Sequence, residues 1–237
     1  LRQLTPDFAL YGGVHKGFTA PSNAPGVNEE ESINYELGLR WFASRFTLDA
    51  AAFLTDYDNI LGECTSSSGS DCEAGDAFNG DAASILGLEL AASYNLSRSA
   101  DYALPVSINY TYLDGEFDSD IADTDFFGDV TAGDPLPYIP EHQLRATFGF
   151  ERGRGGAYLN ANYVDETCVR ASCQTFEQTD SFLVFDLAAH WQATQQMNVY
   201  ARIDNLTDES AIVARQPYGA RPYRDRTITA GVRFEMR

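Results

Sequence analysis

The chain has 237 residues and a formal net charge of -19, from 35 acidic and 16 basic residues. That sign excludes a binder of phosphate backbones, which needs a cationic face, so no nucleic-acid partner is expected. No apolar run reaches the 18 residues of a membrane-crossing helix, which leaves membrane-spanning strands open, because their signal is only a weak alternation.

The opening residues LRQLTPDFALYGG carry no initiator Met and neither the basic nor the apolar stretch of a secretory signal. They imply a processed signal or the C-terminal piece of a longer chain. From there the pattern predicts strands at 8–18, 34–43, 46–57, 85–96, 105–113, 142–151, 157–165, 180–191, 197–205 and 226–236. Most have the roughly 9–11 residues that a tilted strand needs to cross a bilayer.

Alternation carries the prediction. In 34–43, Tyr35, Leu37, Leu39 and Trp41 share a face opposite Asn34, Glu36, Gly38 and Arg40. In 85–96, Leu86, Leu88, Leu90 and Tyr94 oppose Gly87, Glu89, Ser93 and Asn95. Leu144, Phe148 and Phe150 oppose Gln143, Arg145 and Gly149, and Ile228, Val232 and Phe234 oppose Thr227, Thr229 and Arg233. A soluble sandwich also alternates, so the connections decide. They are short at 44–45, 97–104, 152–156 and 192–196, and long at 19–33, 58–84, 114–141, 166–179 and 206–225. Strict alternation of short and long belongs to outer-membrane barrels; Greek-key sandwiches rarely sort so cleanly.

Aromatic residues gather at both strand ends. Trp41, Tyr94, Phe148, Phe150, Trp191 and Phe234 lie toward the short turns, and Tyr57, Tyr110, Tyr112 and Tyr163 toward the long loops. Two such belts fit bilayer interfaces. Acidic residues gather in three long connections, 19–33, 58–84 and 114–141, none of which holds a base. The predicted fold is all-β: a transmembrane antiparallel up-and-down β-barrel with about ten strands present. A soluble secreted β domain, as a sandwich or a propeller piece, is the alternative.

Four cysteines fall in two close pairs, Cys64 with Cys72 and Cys168 with Cys173. Paired cysteines in polar loops favour disulfides in an oxidising compartment. Three connectivities exist, of which the local one is the most economical, and no His or third Cys lies near either pair to make a metal site. Enzyme chemistry finds little support. His15, His142 and His190 lie at different strand ends, and GRGGA (153–157) is a short turn with no helix after it. No catalytic residue or cofactor motif is assigned.

From about Phe8 onward the chain resembles the C-terminal half of a TonB-dependent outer-membrane receptor. The stretches that carry this are YGGVHKGFTAP (11–21), ESINYELGLRW (31–41), GLELAASYNL (87–96), YIPEHQLRATFGF (138–150), TDSFLVFDLAAHW (179–191) and NLTDES (205–210). The resemblance implies residues 1–237 as one unit, the last ten strands of a 22-stranded barrel whose plug domain and N-terminal strands are absent. It implies a Gram-negative outer membrane, contact with lipid and lipopolysaccharide, a monomer, and coupling to TonB through the missing plug region. It implies active transport of a scarce nutrient and no enzyme activity. The segment 59–89 resembles receptors of the ferric dicitrate type, so the ligand is an iron(III) chelate, a ferric siderophore or ferric citrate.

In the family an Asn-Leu-Thr/Phe-Asp segment ends the penultimate strand, here Asn205, Leu206, Thr207 and Asp208. The sequons at Asn95, Asn109 and Asn205 are then accidents of polar strand faces. Family chains usually finish on an aromatic, whereas Phe234 is followed by Glu235-Met236-Arg237.

An anionic chelate needs cations. The last long connection offers Arg215, Arg221, Arg224 and Arg226 around Tyr218 and Tyr223; Arg170, in the loop before it, Lys16 and Arg145 are weaker candidates. The opposing expectation is that these arginines pair with neighbouring acidic residues. The acidic run 114–129 lacks the EF-hand order, so no metal site is assigned. Glu36 with Arg40, or Glu89 with Arg145, are expected as polar pairs inside the barrel. A second functional reading is a self-contained ten-stranded barrel, a surface enzyme or adhesin, which requires 8–18 to pair with 226–236.

Overall fold

The alternation becomes one continuous antiparallel ladder. The computed structural model describes residues 1–20, 26–64, 73, 75–124, 128–171, 173–215 and 219–235. In chain order the strands are β1 (Arg2–Thr5), β2 (Phe8–Thr19), β3 (Glu30–Phe42), β4 (Phe46–Asp58), β5 (Leu61–Glu63), β6 (Ala77–Asn79), β7 (Ala83–Asn95), β8 (Tyr102–Ala103) and β9 (Pro105–Phe117). They continue as β10 (Ile121–Thr124), β11 (Gly128–Val130), β12 (His142–Arg152), β13 (Gly155–Val164), β14 (Phe182–Gln192), β15 (Met197–Asp204), β16 (Ile212–Ala214), β17 (Arg221–Pro222) and β18 (Thr227–Phe234). The main sheet runs β1-β2-β3-β4-β7-β9-β12-β13-β14-β15-β18, and β8 pairs with the end of β12.

Its ten long strands are the predicted ones, with every long neighbour next in sequence. Three small hairpins, β5-β6, β10-β11 and β16-β17, stand apart from the sheet inside long connections. The four-residue β1 was not predicted, since RQLT is too short to show a period before Pro6. Strands β3 and β9 also run past their predicted limits at the long-connection end, through Glu30-Glu31 and through Gly115-Phe117. There the ladder leaves the apolar zone, and charged residues are tolerated. Glu31 faces Asp58 in register but meets Lys16 at 2.7 Å, which offsets the like-charge contact.

The register sorts side chains onto two faces. Leu10, Val14, Leu37, Trp41, Leu86, Leu88, Phe148, Leu159, Trp191 and Ile228 lie on one face, and it is the exposed one. Leu37 is 68% exposed and Ile228 73%. A soluble sandwich buries this face, so the soluble reading is overturned: a continuous apolar surface of this extent suits hydrocarbon. The sheet is open. Among the described residues β18 pairs only with β15, and β2 lies between β1 and β3, so the pairing that a self-contained ten-stranded barrel requires is not formed.

Burial concentrates on the polar face, at the long-connection end. Ala83 and Phe117, the strand-end residues of β7 and β9, pack with Val130, Leu136 and Ala171 from the loops, with Ile60, Phe78 and Ile139 against them. The long connections therefore fold over the polar face of the sheet and bring their own apolar residues to it.

Candidate functional site

Five long connections meet at this end, and each is tied to the next. Asn79 joins the first two: its Oδ1 accepts from the Asn28 amide at 2.7 Å, and its Nδ2 donates to the Asn28 carbonyl at 3.0 Å. Asp118 joins the second and third, its amide donating to the Ala82 carbonyl at 2.9 Å. The Tyr138 amide donates to the Cys168 carbonyl at 2.8 Å, joining the third and fourth. Asp180 joins the last two. Its amide donates to the Ile212 carbonyl at 2.8 Å, and its Oδ2 accepts from the Ile212 amide at 2.7 Å. The result is one laced collar over the mouth of the sheet.

Several acidic residues of the collar accept backbone amides. Glu30 accepts from the Leu61 amide at 2.9 Å, Asp120 from the Ala132 amide at 2.9 Å, and Asp134 from the Thr131 amide at 2.7 Å. The Asp134 bond closes a turn three residues long, while the Glu30 and Asp120 bonds tie separate segments of the collar together.

The fourth connection is stapled twice. Cys168 and Cys173 form a disulfide with Cα atoms 5.0 Å apart, and Thr167 and Thr179 share a hydroxyl contact at 3.1 Å beneath it. Cys64 is also disulfide-bonded; Cys72 lies outside the described residues.

The fifth connection is organised by Asn205, which is fully buried with φ 53°. Asn tolerates this left-handed conformation better than most residues. Its amide donates to Asp186 Oδ1 at 2.9 Å, and its Nδ2 donates to the carbonyls of Glu209 and Arg224, both at 2.9 Å. Its Oδ1 accepts from the Glu209 amide at 2.8 Å. Asp208 accepts from the Arg226 amide at 3.0 Å, and the Leu206 amide donates to the Phe185 carbonyl at 2.7 Å. Thus Asn205, Leu206 and Asp208 of the predicted motif pin both ends of the connection. Thr207 is exposed on the turn.

The predicted cations are distributed unevenly. Arg224 reaches Asp204 Oδ1 at 3.2 Å, and Arg202, which sequence reasoning passed over, binds the same oxygen. Arg226 pairs with Asp208 at 3.6 Å, and Arg170 with Glu177 at 4.0 Å. Arg215 donates from Nε to the Gln178 carbonyl. Tyr223 packs on Phe182, with ring centroids 5.3 Å apart. Arg221 is exposed on β17, and Tyr218 lies outside the described residues. Arg170, Arg215, Arg224 and Arg226 are thus already engaged with acidic or carbonyl oxygens.

On the polar face below, Arg40 pairs with Asp49 and not with Glu36. Nε to Oδ2 is 2.7 Å, Tyr11 donates to Asp49 Oδ1 at 3.0 Å, and the guanidinium lies 4.8 Å from the Tyr11 ring centre. Residues four apart in a strand are separated by about 13 Å, whereas cross-strand partners are about 5 Å apart. The two-residue turn 44–45 sets Arg40 opposite Asp49, a signal that register alone supplies. Glu89 and Arg145 likewise do not meet, since β9 lies between their strands. The Tyr11-Arg40-Asp49 group and Glu89 line a recess of about 410 Å³.

A family model described as "TonB dependent receptor-like, beta-barrel" matches residues 1–206. The chain belongs to the TonB-dependent receptor family. It is 27% identical over 224 residues to the pesticin receptor of Yersinia enterocolitica, covering 86% of this chain and 30% of that one. It is 26% identical over 219 residues to the metal-pseudopaline receptor CntO of Pseudomonas aeruginosa, covering 88% and 28%. Among solved structures, the ferric yersiniabactin uptake receptor FyuA from Yersinia pestis superimposes with TM-score 0.72 at 23% identity, over 98% of this chain and 35% of that one. The ferric citrate transporter FecA gives 0.75 at 17% identity, over 98% and 36%. The chain spans about a third of the length of the relatives it matches.

TonB-dependent receptors are Gram-negative outer-membrane proteins, and their relatives here are transport receptors. In this TonB-dependent receptor chain the apolar face is therefore the lipid face and the polar face the lumen. The long connections are the external ones and the short turns periplasmic.

Proposed function

We propose that this chain is the C-terminal part of the barrel wall of a receptor that binds a metal chelate outside the cell and imports it with energy from TonB. Residues 1–237 form one unit of that wall, their ten long strands the last ten of 22, and the plug lies in the rest of the receptor. The receptor works as a monomer in contact with lipid and lipopolysaccharide. Support for the ligand class comes from relatives described as receptors for ferric yersiniabactin, ferric citrate and metal-pseudopaline.

The observation that carries the finer reading is the pairing of Arg170, Arg224 and Arg226 with Glu177, Asp204 and Asp208. Ion pairing leaves these arginines little net field to offer an anion, and the acidic collar adds a repulsive one. The reading is a ferric siderophore of low net charge, in preference to an anionic ferric citrate. Arg221, Arg215 and Tyr223 are the candidate contacts on the collar. Titration of the purified whole receptor with an iron(III) trihydroxamate of near-zero charge and with iron(III) dicitrate tests this. Tighter binding of the trihydroxamate, by about tenfold or 1.4 kcal/mol, is expected. Tighter binding of the dicitrate sinks the charge assignment.

A further inference from the structure

We propose that the β12-β13 turn and the aromatic notch beside it form a binding site for an anionic phospholipid of the periplasmic leaflet. The proposal rests on the apolar face lying in lipid with the short turns periplasmic, and not on the identity of the chelate.

Gly153 and Arg154 alone join the two strands, since Arg152 pairs in register with Gly155. Gly153 has φ 59°, the positive value that a type II′ turn asks of its first central residue. The segment RGRGG (152–156) therefore projects only the side chains of Arg152 and Arg154. Arg152 follows Phe148 and Phe150 on the lipid face and lies in register with Tyr102, whose ring is 6.3 Å from that of Phe150. On the other side Trp191, 56% exposed, lies in register with Gly155. A Cβ at Gly155 would lie 3.0 Å from the His190 carbonyl and press into the indole, so glycine keeps this notch open. The recess holds about 650 Å³ between Phe150, Arg152, Arg154, Ala157 and Trp191.

Both arginines are exposed, and neither forms an ion pair among the described residues. The adjacent carboxylate, Glu151, is on the opposite face, where it accepts from the Tyr158 hydroxyl. It does not neutralise Arg152. On a chain of net charge -19, two guanidiniums against one nearby carboxylate, Asp101 next to Tyr102, leave net positive charge beside exposed aromatic rings at the membrane boundary. Guanidinium forks hold phosphate oxygens bidentately, and basic side chains at the membrane surface recruit anionic headgroups. An apolar notch alongside them takes the glycerol and upper acyl chain, as interfacial aromatics do. A soluble phosphate matches the arginines but leaves the notch unfilled, so a lipid is the occupant that uses both halves.

The test is native mass spectrometry of the whole receptor, exchanged into micelles with equal phosphatidylglycerol and phosphatidylethanolamine of the same acyl chains. The wild type is expected to retain phosphatidylglycerol preferentially. Two arginines, at about fivefold each, give a preference of roughly 25-fold. R152Q/R154Q should lose it, while chelate binding stays unchanged. R152K/R154K should keep only part of it, because the ammonium lacks the fork. Equal retention of the two lipids by the wild type overturns the proposal, and this arm needs no variant to assemble. An unchanged preference in R152Q/R154Q also overturns it. So does displacement of phosphatidylglycerol by inorganic phosphate, which makes the site a phosphate site.

Discussion

Asn205 holds the Arg224 carbonyl at 2.9 Å across nineteen residues of chain, and so closes the last external connection at its base. The same side chain takes the Glu209 amide and carbonyl. One buried amide thus replaces the partners that a backbone leaving the ladder loses.

Replacing Asn205 by Gly should destabilise the whole receptor by about 2 kcal/mol, since several buried groups lose their partner while the positive φ stays accessible. Asn205→Ala should cost more, because it adds backbone strain in the left-handed region. Denaturant unfolding in detergent measures both. Equal destabilisation by the two variants would show that the hydrogen bonds act alone.

Asp204 and Asp49 make similar ion pairs in different settings. The Asp204 side chain is 9% exposed and faces two arginines, whereas the Arg40–Asp49 pair is open to the lumen. Asp204→Ala should destabilise by about 1 kcal/mol, because it removes a nearly buried carboxylate that two half-exposed arginines share. Arg40→Ala should give no measurable shift, as open pairs generally do. The same unfolding measurement separates them, and a larger effect at Arg40 contradicts the burial argument.

Breaking Cys168–Cys173 by a double Ser substitution removes a constraint of about 2 kcal/mol for so short a loop. The loss should stay local, because Thr167 and Thr179 still close the base. Hydrogen exchange should speed up at 168–178 and at the Tyr138 amide, which donates to the Cys168 carbonyl. Faster exchange throughout β13 and β14 would show that the staple supports the wall itself.

The acidic collar predicts how salt acts on association. An anionic chelate should bind faster as ionic strength rises, because screening weakens repulsion at the mouth. A neutral chelate should show little change. Stopped-flow association at two salt concentrations reads this, and a rate for the anion that falls with salt contradicts it.

The wall was legible because alternation and connection length are local signals. Leu86, Leu88 and Leu90 declare their face without knowledge of any neighbour, whereas the cross-strand pair Arg40–Asp49, set by the turn at 44–45, was missed in favour of Glu36 with Arg40. The collar was far less legible. Nothing near Asn28 points to Asn79, and nothing near Tyr138 points to Cys168; these pairs exist only because the wall brings distant connections together. The arginines of the last connection were visible as a cluster, but their partners Asp204 and Asp208 belong to the strand end and the turn that follows it. The short β1 and the loop hairpins carry too few residues for any period.

TonB-driven import of a low-charge ferric chelate can be read from the uptake of iron-55. Cells producing the whole receptor would be given the iron(III) trihydroxamate with TonB present and with TonB absent. Accumulation that depends on both receptor and TonB, and that exceeds uptake from iron(III) dicitrate, is the predicted result. Equal accumulation without TonB, or uptake from the dicitrate alone, would contradict it.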